Sequence, residues 1–241
     1  MQTSLKSLSK LLIIPAIIFS TASYAQQDIV KVRNTNYTSY FSKSGHIPVL
    51  VVYTLTSKML DCKRSRQEIG TKYATDPRLA KSTDIKEDYK DANFDQAQMM
   101  NPDENTCDKT AYAESYYYTN VMPMPKNLYK ELWGKLHDFE MEQAKKYKKI
   151  KVFSGTVGKN WVIGLDNDIT VPEYCWKVIY IPSKDQYLCY EFHNIEPTYH
   201  LDNLDRHKVD INVIESLAGV HFVNGIISAP YVTASQSTSS N

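Results

Sequence analysis

The densest charge in the chain is a run of lysines, Lys145, Lys146, Lys148, Lys149 and Lys151. Ammonium groups at that spacing make a phosphate-binding patch, with Lys145, Lys146, Lys148 and Lys149 as candidates for contact with nucleic acid. A solvated helix end, where cations suit the C-terminal dipole, is the competing reading. The other groups able to do chemistry are scattered. His46, His193, His200, His207 and His221 show no metal-ligand spacing with a neighbouring cysteine or carboxylate. Cys62, Cys107, Cys175 and Cys189 contain no C-x-x-C pair, which disfavours a zinc knuckle or thioredoxin-type centre and leaves disulfides or buried thiols. Four cysteines allow three pairings, and the spacing does not choose among them. G-x-S-x-G, P-loop and dinucleotide glycine patterns are absent, so those enzyme classes are unsupported.

Several elements must position these groups. Residues 47–56, β-branched and apolar, read as a buried strand. Residues 61–93 are charged, carry the Asp76-Pro77 turn signal, and read as a long loop with at most a short element. The clearest helix spans residues 127–147, with Leu128, Leu132, Leu136 and Phe139 on one face and Asn127 as its N-cap. Residues 151–153 read as a strand ending in a turn at Ser154-Gly155. Residues 174–181 and 187–192 read as a hairpin around residues 182–185, whose register does not set Cys175 opposite Cys189. Residues 210–218 read as a helix capped by Asp210 and stopped by Gly219. Without a βαβ rhythm, this mixture predicts an α+β fold.

The chain has 241 residues, a formal charge of +1 and 42% apolar residues, which excludes a disordered chain, a collagen-like repeat and a polytopic membrane protein. Lys6 and Lys10, an apolar stretch over residues 11–19 and the small residues ending at Ala25 describe a secretory signal segment over residues 1–25. Its removal takes away two lysines and no acid, so +1 becomes −1. Export follows, to the periplasm or the medium, with no stable membrane association after cleavage. It also makes disulfides possible.

Further landmarks fall in a recognisable order. Tyr89-Lys90-Asp91-Ala92-Asn93-Phe94-Asp95-Gln96-Ala97-Gln98 is followed by Tyr118-Thr119-Asn120 and then by Leu128-Tyr129, Trp133 and His137 on the helix. Val152-Phe153-Ser154-Gly155, Val171-Pro172-Glu173-Tyr174-Cys175-Trp176-Lys177-Val178 and residues 209–222 continue the series. This order resembles the DNA/RNA non-specific endonuclease family, the ββα-metal nucleases, over residues 48–223. The resemblance implies a ββα-metal (His-Me finger) scaffold with a central mixed or antiparallel sheet and flanking helices. It also implies an activity that cuts DNA and RNA with one magnesium ion.

The departures fall on the chemistry. Gln98 stands where the resemblance implies the histidine base, and Gln96 where it implies the arginine that meets phosphate charge. Tyr129 replaces the asparagine that ligates magnesium, and His137 the glutamate after the tryptophan; Asp95, a supporting position, is retained. An amide has no pKa near neutrality, and losing a general base removes roughly 10²–10⁴ in rate. A phenol is a poor magnesium ligand, and imidazole suits zinc or copper better. Tyr129 and His137 are two helical turns apart and can face one groove, so His137 as a displaced base, with metal held by Asp95 or another acid, is the rescue reading. The other is that Tyr129, Trp133 and His137 pack over a vacated pocket.

The expectation is therefore a domain over residues 26–229 with a disordered tail over residues 230–241. Its function is that of a degenerate nuclease that binds nucleic acid or a protein, without a cofactor. The weak net charge leans toward a protein partner. The alternative is an active endonuclease dependent on magnesium.

Overall fold

The computed structural model describes residues 28–62, 72–90, 93–195 and 203–233. In chain order the first strands are β1 (Ile29–Arg33), β2 (Tyr37–Ser42), β3 (Ile47–Thr56), β4 (Phe94–Gln98), β5 (Val121–Pro125) and β6 (Lys149–Val157). The remainder are β7 (Trp161–Ile163), β8 (Ile169–Val171), β9 (Tyr174–Ile181), β10 (Gln186–His193), β11 (Lys208–Val209), β12 (His221–Val223) and β13 (Ile226–Ser228). Three helices matter here: α1 (Lys109–Glu114), α2 (Gly134–Tyr147) and α3 (Ile211–Ala218). A seven-stranded antiparallel sheet, ordered β1-β2-β3-β6-β9-β10-β11, forms the centre, so the α+β expectation holds.

Alternation along the strands gives the sheet two apolar faces. Val51, Tyr53, Leu55, Val152 and Ile179 meet Leu132, Trp133, Leu136 and Ala144 on one side. Leu50, Phe153, Trp176 and Val178 meet Ile214, Val220 and Phe222 on the other. A sheet buried on both faces reads as near-continuous apolar sequence, which is why β3 was legible as a strand. The α2 helix is entered through a wide, π-helical turn, Leu128–Trp133, continuous with the antiparallel pair β4–β5. That strand, strand, helix order is the ββα unit the resemblance implied.

Several expectations change. Asn127 stands at the helix start in helical conformation, without a side-chain cap bond. No turn forms at Ser154-Gly155; β6 runs through it. A Cβ on Gly155 would lie 2.1 Å from Trp176 Cζ2, so this glycine serves close packing rather than a bend. The described residues of the charged segment after Asp61 contain several short turns, including Pro77–Leu79 and Glu87–Tyr89, where one short element was expected. The expected tail begins as a helical turn, Pro230–Thr233, and Tyr231 packs on Tyr40. The signal segment and the rest of the tail lie outside the described residues.

Cys62 and Cys107 form a disulfide, and Cys175 and Cys189 are buried free thiols. In the β9–β10 register Cys175 faces Phe192 and Cys189 faces Val178. Burial pushes both thiols up, Cys189 to about 12, which makes them poor nucleophiles. No helix among the described residues is long and apolar enough to cross a membrane.

Candidate functional site

β4 pairs with β5 so that Gln96 opposes Pro123 and Gln98 opposes Val121. The two glutamines, two residues apart, share one side of the strand, while Asp95 and the buried Ala97 take the other. The helix entry brings Tyr129 against the same strand. Tyr129 OH donates to Gln98 Oε1 at 2.5 Å, and Gln98 Nε2 donates to Tyr73 OH at 2.9 Å. Tyr73 OH donates in turn to the Gln96 carbonyl at 2.6 Å, and Tyr118 OH reaches Gln96 Oε1 at 3.4 Å. The residues that stand where the resemblance implies a base and a metal ligand are therefore bonded to each other. Burial raises the Tyr73 hydroxyl far from neutrality.

The main-chain side of Gln98 opens onto a different environment. Its carbonyl accepts from Trp133 Nε1 at 2.9 Å and lies 3.3 Å from His137 Nε2. His137 is 2% exposed, so it cannot serve as a solvent-facing base, and Asp95 is not among its neighbours. Instead its Nδ1 lies 3.1 Å from Lys177 Nζ, 3.8 Å from Glu104 Oε1 and 3.7 Å from Glu140 Oε2. Lys177 Nζ donates to Glu140 Oε1 at 2.6 Å, and Tyr53 OH donates to Glu140 Oε2 at 2.5 Å. The ammonium also sits 4.8 Å from the Trp133 ring centre.

Four elements converge here: α2 supplies His137 and Glu140, β9 supplies Lys177, and β3 supplies Tyr53. Glu104 comes from the turn Pro102–Asn105, fixed by a capping box in which Glu104 Oε2 accepts from the Asn101 N–H at 3.2 Å. Burial raises Glu104, assisted by the Glu140 charge, to about 7. Burial also opposes charge on Glu140, but Lys177 and His137 outweigh it and hold this carboxyl down at about 2. Burial and Lys177 disfavour a charged His137, yet its contacts with Glu104 and Glu140 prevail and raise it. Lys177 Nζ and the Gln98 carbonyl flank the two ring nitrogens of His137, and Glu104 Oε1, 3.8 Å from Nδ1, is left without a hydrogen-bond partner.

Glu104, His137 and Glu140 have donor atoms within 4.8 Å of one another, the spacing of a metal group among the described residues. A magnesium ion does not fit. The Lys177 ammonium already bonds two of the three groups, all three are buried, and magnesium keeps several waters and prefers oxygen donors to an imidazole. At the position implied for the metal ligand, the Tyr129 phenol is engaged with Gln98.

The expected lysine patch is solvent-exposed at Lys145, Lys146, Lys148 and Lys149, at the far end of α2, where Lys148 closes the helix in left-handed conformation (φ 68°). At 1.5 Å rise per residue it lies about 18 Å along the helix from Trp133. The structure therefore separates the patch from the glutamines. Sequence reasoning missed Glu104, Glu140, Lys177, Tyr53 and Tyr73. Glu140 alone carried a local signal, three residues from His137 on one helix face.

Comparison with known proteins accords with this geometry. A family model described as DNA/RNA non-specific endonuclease matches residues 16–228. The mitochondrial nuclease EXOG of Danio rerio is 26% identical over 158 residues, covering 60% of this chain and 45% of that protein. Mitochondrial endonuclease G of Homo sapiens is 24% identical over 155 residues, covering 58% and 52%. The match thus spans about half the length of these curated relatives. A crystal structure of an EndoG/EndoGI complex, concerned with the mechanism of EndoG inhibition, superposes with a TM-score of 0.70. It shares 18% identity and covers 81% of this chain and 86% of its own, a likeness of fold.

Proposed function

The chain belongs to the DNA/RNA non-specific endonuclease family, and from that premise we propose that it is an exported, catalytically degenerate member that acts by binding. The observation that carries this reading is the 2.5 Å bond between Tyr129 OH and Gln98 Oε1. It joins the two positions where a base and a metal ligand are required. Phosphodiester hydrolysis needs a proton acceptor for water and a cation for the crowded phosphate charge. Gln98 cannot accept the proton, Gln96 cannot pair as a charged fork with phosphate, and His137 is sealed within an ion cluster. The export-type segment and the Cys62–Cys107 disulfide support an oxidising destination, periplasmic or extracellular.

A protein is the favoured partner over nucleic acid. Lys145, Lys146, Lys148 and Lys149 lie away from Gln96 and Gln98, and the net charge without residues 1–25 is −1, which gives little counterion-release affinity. The EndoG/EndoGI complex offers a precedent for this fold engaging a protein. A second reading, an active nuclease with a rearranged site, draws on the Glu104, His137 and Glu140 grouping.

A nuclease assay on residues 26–241 with plasmid and RNA, in magnesium, manganese or zinc, separates the readings. We expect no metal-dependent cleavage. Cleavage that disappears in His137→Ala would sink the binding reading.

A further inference from the structure

The β7–β8 hairpin presents apolar side chains to solvent in an arrangement the fold holds rigid. Trp161 is 43% exposed, and Leu165, at the tip, is 81% exposed. Val162 is also exposed. Single exposed apolar residues are ordinary on a protein surface. Three within one short hairpin, with a fixed tip, are a different case.

The tip is fixed by Asp88, buried beneath it. Asp88 Oδ1 accepts from the main-chain N–H groups of Leu165 at 2.9 Å, Asp166 at 2.8 Å and Asn167 at 3.1 Å, and Oδ2 accepts from Asn167 Nδ2 at 2.7 Å. Gly164 adopts φ 117°, and a Cβ there would lie 2.0 Å from the Asn167 carbonyl oxygen. At the base, Trp161 packs on Phe94 with ring centres 5.9 Å apart, which ties the hairpin to β4, the strand of Gln96 and Gln98. An anchor ordered before binding loses little conformational entropy when it docks, and tryptophan is enriched among such anchors.

Charge identifies the class of partner. Asp166 and Asp168, which follow Leu165, are exposed, and with Lys159 at the base residues 159–171 carry one net negative charge. Phosphate would be repelled from the tip, while a cationic rim would be attracted. We propose that the β7–β8 hairpin is a docking knob for a protein surface that carries an apolar pocket bordered by lysine or arginine. The inference deepens the binding reading above and rests on it, but the two are measured separately. Nuclease activity together with an intact docking response would remove the former and leave the hairpin's affinity standing.

The chain supplies its own probe. Of its three tryptophans, Trp133 and Trp176 are fully buried, so Trp161 dominates quenching by acrylamide. The full chain is titrated with a synthetic amphipathic helix bearing leucine on one face and lysine on the other, and with the same helix carrying glutamate for lysine. The lysine peptide is expected to shield Trp161, less so at high salt, and the glutamate peptide is not. Leu165→Ser should weaken shielding about tenfold, and Asp166→Lys with Asp168→Lys should reverse the preference between peptides. These three positions are exposed, and an unchanged near-UV dichroism spectrum confirms that the variants fold. Absence of shielding by the lysine peptide, or shielding that Leu165→Ser leaves unchanged, overturns the proposal. So does stronger shielding by a single-stranded oligonucleotide or by vesicles of phosphatidylcholine and phosphatidylglycerol.

Discussion

Gln98 divides two polar networks, one half-buried and one sealed from solvent, that differ in kind. On its side-chain face, Tyr129, Tyr73 and Gln96 form a neutral relay of hydroxyls and amides. On its carbonyl face, His137, Glu104, Glu140 and Lys177 form an ionic cluster roofed by Trp133. The penalties for breaking them differ. A neutral hydrogen bond contributes about 1 kcal/mol net, whereas removing one partner of a buried ion pair costs about 3–5 kcal/mol, because the remaining charge is stranded. The contrast also concerns chemistry. Neutral groups occupy the positions where the resemblance implies charge, while the charges lie one layer deeper, among fully buried side chains.

The largest expected effect therefore comes from Lys177→Met. It removes the cation between Glu140 and His137 and should lower stability by about 3–5 kcal/mol in urea denaturation at pH 7. A loss under about 1 kcal/mol would mean the two networks are energetically alike.

Next in size is the response to pH, which only the ionic network should show. Glu104 holds its proton more tightly folded, at about 7, than at its ordinary 4.5. Its contribution is complete below 4.5 and is lost as pH rises through 7. His137, raised from 6.5, acts in the same direction: its contribution is complete below 6.5 and lost at higher pH. Glu140, lowered to about 2, acts oppositely, since its contribution is present above 4.5 and lost as pH falls toward 2. Melting temperature should accordingly be higher at pH 5 than at pH 8, and Glu104→Gln should shrink that difference. An equal slope in the variant would place the titration elsewhere.

Smaller still is Tyr129→Phe, which opens the neutral relay at one bond. It should cost about 1 kcal/mol with the same value at pH 5 and pH 8, as read by thermal denaturation at both. Least affected should be the quadruple exchange of Lys145, Lys146, Lys148 and Lys149 to glutamine. Those side chains are solvated, so stability should stay within about 0.5 kcal/mol of the parent. A larger change in the same denaturation would show that the helix end contributes to the fold.

Local pattern made much of the scaffold readable. β3 was readable because a ten-residue β-branched run has few other places to go, and its bounds match the sequence reading. The β9–β10 hairpin and α3 followed from turn residues and the Gly219 stop. Gly155 misled because its reason is tertiary: the Trp176 ring across the ladder, not a bend, requires a glycine there. The substituted positions Gln96, Gln98, Tyr129 and His137 were visible through the resemblance, but their bonding was not. Glu104 and Lys177 are 73 positions apart, and only the packed sheet and helix bring them to one histidine. The π-helical entry to α2 likewise leaves no mark in the apolar periodicity.

The Cys62–Cys107 bridge has one more consequence. It closes a covalent ring of sequence separation 45 that contains Tyr73, Asp88, all of β4 and Glu104, while Tyr129 and Lys177 lie outside it. Chain-entropy arguments give such a ring about 4 kcal/mol through the unfolded state. A protease that cuts this ring once produces no separate fragments, because the two ends stay joined through sulfur. After a single cut within the ring, β4 thus stays covalently tied to the rest of the chain until a reductant arrives.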